Sequence, residues 1–211
     1  MKKLIILTAL LTGLSFVGHA QMNIGFKAGL NMATISGDNT DNAEIIPSYQ
    51  VGVTTNFSMG ETFSLQPGLI LSGKGSKYSE EFFGETLDYN MNLSYLEIPI
   101  NAVYNIGGFQ VYAGPYLGFG LFGKAKFDND EIDDEDIEFT GDVTEETNGI
   151  PLNGFDYGLN FGVGYMLNES LQVQLGYGLG LGNLNPKFDG EDPEDSNANS
   201  VIQLSLSYFL Q

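Results

Sequence analysis

From Asn23 onward the chain alternates between apolar residues and small or polar ones with a period of two. In NIGFKAGLNMATI, the residues Ile24, Phe26, Ala28, Leu30 and Met32 fall on one parity, and Gly25, Lys27, Gly29 and Asn31 on the other. Such alternation predicts a β-strand with two chemically distinct faces. The pattern returns in YQVGVTTNF (49–57), FSLQPGLILSGK (63–74), LSYLEIPINAVY (93–104), FQVYAGPYLGFGLF (109–122), FDYGLNFGVGYM (155–166), LQVQLGYGLGLG (171–182) and SVIQLSLSYFL (200–210). That makes eight predicted strands, and no run of ten residues carries a helical period.

The connections between these strands are 13, 5, 18, 4, 32, 4 and 17 residues long. Long and short alternate without exception, which is the signature of up-and-down antiparallel strands crossing a membrane, with tight turns on one side and long loops on the other. The pattern therefore predicts an all-β fold, an eight-stranded antiparallel up-and-down transmembrane β-barrel. Its even strand number puts both termini on the short-turn, periplasmic side.

Glycine is the commonest residue on the polar parity, where it weakens a strand and would serve no purpose on a watered surface. The interior of an eight-stranded barrel is only wide enough for side chains to fill. Large inward residues such as Tyr112 and Tyr116 then need small ones opposite, so the glycine-bearing flank is predicted to face inward and the Leu, Val and aromatic flank to face lipid. Aromatic residues near strand ends (Phe26, Tyr49, Phe57, Phe63, Tyr104, Phe109, Phe155 and Tyr208) suit girdles at the two interfaces. A soluble lipocalin-like binding barrel has the same alternation with the faces reversed, and is the alternative.

The first twenty residues stand apart. Lys2 and Lys3 precede the apolar run LIILTALLTGLSFV, and Gly18-His19-Ala20 reads as a cleavage site. Residues 1–20 are therefore expected to be a secretory signal peptide and residues 21–211 the outer-membrane β-barrel domain. Beyond the signal the chain has no His, Cys, Trp or Arg, and sets six lysines against 27 acids, a formal charge of −21. That composition excludes thiol nucleophiles, Ser-His-Asp triads and zinc sites built from His or Cys. It also excludes disulfides, and it opposes contact with nucleic acid, which needs cations on phosphate.

Of the 27 acids, 23 fall in the four long connections, 11 of them between residues 123 and 154 in and around FDNDEIDDEDIEFTGDVTEET. Such runs predict solvated, mobile, acidic extracellular loops. Their carboxylates make divalent cations a candidate partner beside an anionic surface glycolipid. The spacing is not that of an EF-hand: Asp128 and Asp130 fit, but Ile132 stands where a ligand is needed. GFGLFGKA (118–125) nearly matches a phosphate-binding loop, yet it lacks the closing Ser/Thr and leads from a strand into a loop, and is taken as chance.

Four charged residues, Lys27, Lys74, Glu97 and Asp156, share the inward parity. They predict a structural charge network in the lumen, neutral by count, with Gln50, Gln66, Tyr95 and Tyr112 around it. Lys74 and Glu97, on adjacent strands, are the expected pair, because a buried charge without a partner costs several kcal/mol. No catalytic, cofactor-binding or metal-ligating residue is assigned. No enzyme is expected, since the remaining carboxylates, lysines and tyrosines show no spacing that would tune a catalytic group.

The runs YLEIPINAVY (95–104), FQVYAGPYLGFGL (109–121) and DYGLNFGVGY (156–165), with the opening NIGFKAGLNMATI, resemble the small porin-like outer-membrane β-barrel family of Gram-negative bacteria. The resemblance implies an eight-stranded barrel in the cell outer membrane. Such barrels usually end on an aromatic residue read by the barrel-assembly machinery, whereas here Phe209 is followed by Leu210 and Gln211. The expected function is a structural or surface-interaction role for a monomeric outer-membrane barrel with acidic extracellular loops, in contact with outer-membrane lipid and surface glycolipid. A narrow porin-like channel for small solutes is the second reading.

Overall fold

The computed structural model describes residues 22–82, 85–128, 132–145, 147 and 149–210. The expected signal peptide, Asp130 of the acidic run and the terminal Gln211 lie outside them. Eight strands form the frame: β1 (Met22–Gly37), β2 (Ile46–Ser58), β3 (Phe63–Phe82), β4 (Glu85–Ile106), β5 (Phe109–Phe127), β6 (Phe155–Met166), β7 (Leu171–Gly180) and β8 (Asn197–Phe209). Each pairs antiparallel with the next, and β8 returns to β1 with Lys27 opposite Ser207 and Asn31 opposite Gln203. The sheet is thus a closed ring with no free edge, as hydrocarbon requires of a spanning sheet.

The start of β1 and the end of β8 lie side by side, with Gly25 opposite Phe209. They share that end of the barrel with the three short turns. In the β4–β5 turn, Gly107 adopts φ 63°, a left-handed conformation that lets two residues reverse the chain. In the β6–β7 turn the Asn168 side-chain carbonyl accepts hydrogen bonds from the amides of Ser170 and Leu171, both at 2.9 Å.

Along every strand the apolar parity points outward. On β8, Ile202, Leu204, Leu206 and Tyr208 are exposed while Gln203, Ser205 and Ser207 between them are buried. Leu30 is 63% exposed and its neighbour Asn31 is fully buried. This overturns the soluble alternative, which needs the apolar flank inside. Aromatics ring both ends, with Phe63 against Tyr104 (4.9 Å between ring centres) and Phe109 against Tyr165 (4.8 Å) at the short-turn end, and Phe119 against Phe155 (5.6 Å) at the other.

The inward glycines are where the large side chains lie. A Cβ on Gly162 would come within 2.8 Å of the Tyr112 hydroxyl, and one on Gly176 would overlap it. A Cβ on Gly158 would lie 2.8 Å from the Tyr116 ring. Tyr112 and Tyr116 lie over the neighbouring strands only because β6 and β7 have no side chains there.

The structure differs from expectation in three places, all toward the long-loop end. Residues 75–82 and 85–92 are strand where a loop was expected: β3 and β4 continue, paired with each other, beyond the ring. The cross-strand pair Tyr78–Tyr89 stacks with ring centres 5.2 Å apart, and Tyr89 meets Phe127 at 5.6 Å. Aromatic pairs of this kind stabilise a ladder enough to extend it. Second, the register between β4 and β5 shifts at Ser94/Tyr95. Leu121 and Phe122 both end up exposed, so the inward parity on β5 changes from even (Tyr112, Tyr116) to odd (Ala125) across this bulge.

Third, the acidic connection is partly ordered against the barrel mouth. Glu135–Phe139 pairs with β5 and, in parallel, with Ile150–Leu152. Within EDIEF, Ile137 is buried and Phe139 is half-buried, while Glu135 and Asp136 are exposed and Glu138 is half-buried. Alternation over five residues was enough to build a strand inside an acidic run. Asp142–Val143 and Lys187–Phe188 form a further two-stranded parallel pair that joins the third and fourth connections.

Candidate functional site

The chemistry-bearing residues gather in the lumen. Lys74 on β3, Glu97 on β4 and Asp156 on β6 are brought together: the Lys74 Nζ lies 2.9 Å from Glu97 Oε2 and 2.9 Å from Asp156 Oδ2. β3 and β4 are neighbours, whereas Asp156 reaches the ammonium from across the barrel. All three side chains are almost wholly withdrawn from solvent. Asn199 donates to Asp156 Oδ2 at 3.1 Å, Tyr116 donates to the same carboxylate at 3.3 Å, and Asn160 donates to Glu97 Oε1 at 3.4 Å. The Lys74 ammonium also sits 4.2 Å from the centre of the Tyr116 ring and 5.5 Å from that of Tyr95.

Lys27 is not in this cluster. It lies nearer the short turns, where its Nζ donates to Gln174 Oε1 at 3.1 Å. There the lumen is filled by amides: Gln172 donates to Gln110 at 2.6 Å, Gln110 to Asn105 at 2.8 Å, and Gln66 to Asn56 at 3.1 Å. The four inward charges therefore divide into one lysine between two carboxylates, with a local charge of −1, and one lysine held by neutral groups. Charge count alone suggested a single neutral network.

Tyr116, Asn160 and Asn199 were missed as partners. Tyr116 and Asn160 carry the inward parity of their predicted strands, so the signal was present; Asn199 keeps the same parity but precedes the predicted strand 200–210, and the observed strand starts at Asn197. What period two does not give is height along the axis, and height is what puts Asn199 beside Asp156 while Gln50 instead donates to Asn31 at 2.8 Å.

Above the charge cluster the lumen turns apolar. Ile35, Leu93, Tyr95, Ala125, Ile137, Leu152 and Leu184 form a buried cluster, with Phe139 and Met91 packed on it. Leu93, Tyr95 and Ala125 come from barrel strands, whereas Ile137, Leu152 and Leu184 come from the connections. The rings of Tyr95 and Phe139 are 5.4 Å apart, and Phe139 packs where a Cβ on Gly120 would otherwise stand. Going inward from the loop end, the axis is occupied first by this plug, then by the ion cluster, then by the amides.

A family model for the outer membrane protein beta-barrel domain matches residues 19–185. The chain belongs to that family. It is an outer-membrane β-barrel protein, and its outward apolar flank is what a surrounding bilayer requires. No curated protein matches it significantly in sequence. Among solved structures, the barrel is similar to Neisserial surface protein A (12% identity, 88% of this chain and 96% of that one, TM-score 0.49). It is also similar to Ail, the attachment invasion locus protein of Yersinia pestis (12%, 90% and 99%, 0.46), and to the E. coli outer membrane protein W (14%, 91% and 100%, 0.42).

Proposed function

We propose that this protein is a closed, monomeric outer-membrane barrel whose role is structural or surface-interacting, carried by its acidic loops, and that it is neither an enzyme nor a pore. Residues 1–20 are removed as a secretory signal, both termini of the mature chain face the periplasm, and the barrel-assembly machinery inserts it. The four long connections then face outward beside the surface glycolipid, where divalent cations offset their carboxylates.

The observation that carries this reading is the filled axis. An apolar plug, an ion cluster and an amide layer follow one another, each built from side chains in mutual contact, and the cluster has no exposed member to lead an ion through. Lys74, Glu97 and Asp156 are structural on this view: they tie β3 and β4 to β6 across the barrel. Planar-bilayer recording of the purified chain tests it. Insertion without stable openings is the expected result, and a steady open-channel current at low voltage would replace it with the narrow-channel reading.

A further inference from the structure

At the loop end, beside the plug, the first and fourth connections enclose a cavity of about 260 Å³. Its floor is apolar, made by Ile35, Met91, Leu152 and Leu184, and its wall includes the stacked tyrosines Tyr78 and Tyr89. The rim is polar and uncharged or acidic: Asp38, Asn39, Thr40, Asn42, Asn185 and Asp195. No lysine lines it.

The rim is held in place before any ligand arrives. Asp38 Oδ2 accepts from the Ser196 amide at 2.9 Å, and the Asn39 amide donates to Asp195 Oδ2 at 3.0 Å. Asn183 and Asn185 both donate to the Asp195 backbone carbonyl at 3.0 Å, and the Leu184 amide donates to Asn197 O at 2.7 Å. These bonds use one oxygen of each carboxylate; the other accepts no hydrogen bond among the described residues. Asn42 makes no side-chain hydrogen bond among the described residues and offers both a donor and an acceptor.

We infer that this cavity binds an uncharged saccharide ring. A pyranose has an apolar C–H face and an edge of hydroxyls that each donate and accept. The first suits an aromatic wall over an aliphatic floor, and the second suits a rim of carboxylates and carboxamides. An apolar and aromatic lining with a small set of placed polar groups is the usual constitution of a small-ligand site, and the volume falls just below the roughly 300–1,000 Å³ of drug-sized ones, which suits a single ring. Anionic sugars and phosphates are disfavoured, because two carboxylates and no cation face the space. A pre-ordered rim lowers the ordering cost of binding. This deepens the surface-interaction role proposed above by naming a ligand class. It is independent of whether the lumen conducts.

Saturation-transfer NMR on the full chain in detergent micelles tests it. The probes are methyl glycosides of glucose, galactose and N-acetylglucosamine, and the uncharged hexose oligosaccharide released from the outer part of the cell's own surface glycolipid. Transfer to ring C–H protons of at least one probe is expected, with affinity weakened tenfold or more in Asn42→Ala and in Tyr78→Ala. Heat-modifiable gel mobility checks that each variant is folded, and Asn42→Ala carries the test alone if Tyr78→Ala does not fold. Binding of the simple glycosides marks free glycans as the source, and binding of the released oligosaccharide alone marks the membrane's own glycolipid. No transfer to any probe, or transfer that the folded variants leave unchanged, overturns the inference while the conductance result stands.

Discussion

Inside the membrane-spanning ring, the lumen is filled by the strands themselves. Tyrosines lie over the glycines of neighbouring strands, and amides and one ion cluster occupy what remains. At the mouth, the filling arrives from elsewhere: Ile137, Phe139, Leu152 and Leu184 fold in from connections that are otherwise rich in carboxylates. The first region depends on hydrogen bonding and on Coulomb attraction in a dry interior, where losing a partner is expensive. The second depends on apolar contact, which has no direction and can be lost in steps. Damage to the lower lumen should therefore be felt by the whole barrel, and damage to the plug mainly by the loops.

The largest effect is expected at Lys74. Lys74→Met leaves Glu97 and Asp156 facing each other without a cation, which should cost about 3–5 kcal/mol. Urea unfolding followed by heat-modifiable gel mobility reads this. The triple variant Lys74→Met, Glu97→Gln, Asp156→Asn should recover most of the loss, because no buried charge is then left unpaired. A Lys74→Met barrel as stable as the parent would show that the cluster contributes nothing.

Leu184→Ala probes the other region. Leu184 is 2% exposed at the centre of the plug, so truncation should cost about 2–5 kcal/mol of loop docking. The expected readout is faster proteolysis between residues 135 and 152 with unchanged barrel mobility. A general loss of barrel stability would erase the distinction between the two regions.

The lower region was nearly complete in the sequence. Period two gave the strands, the faces and the inward charges, because a strand's sidedness follows directly from residue parity. The plug was not legible. Its residues are scattered singly among acids and glycines, at Ile137, Leu152 and Leu184, and only the closed ring brings them to one place. Nor could alternation reveal the shift at Leu121 and Phe122, since a bulge breaks the very period used to read the strand.

A smaller effect should separate packing from polarity in the lower lumen. Gly176→Ala drives a methyl into the Tyr112 hydroxyl and should cost about 1–3 kcal/mol. Adding Tyr112→Phe removes the overlapping oxygen and should return part of that stability. Strict additivity in this double-mutant cycle would mean that the two residues do not meet.

The smallest effect is expected on the hairpin beyond the ring. Lys77 and Asp88 form a half-buried ion pair at 2.8 Å. The hydrogen bond to Asp88 raises the lysine pKa, and hydrogen bonds from Lys77 and Ser79 lower that of Asp88. The aspartate's share of stability is present above its unfolded pKa and is lost as pH falls through the depressed folded value. The lysine's share is present below its unfolded pKa and is lost as pH rises through the elevated folded one. The protection factors of residues 87–92, observed exchange corrected for the pH dependence of the intrinsic rate, should thus be largest near neutral pH, with a shallow dependence that salt flattens. A flat profile at low salt would show the pair to be inert.

The face assignment underlies all of this, and a chain without native cysteine in its mature part allows a direct test. Single cysteines placed from Ile202 to Tyr208 on β8 can be spin-labelled in bilayers and read by collision with oxygen and with a water-soluble nickel chelate. High oxygen accessibility at positions 202, 204, 206 and 208, and low accessibility to both reagents at 203, 205 and 207, is the predicted result. Strong nickel collision at 203, 205 and 207 would mean a watered lumen, and would contradict the closed barrel described here.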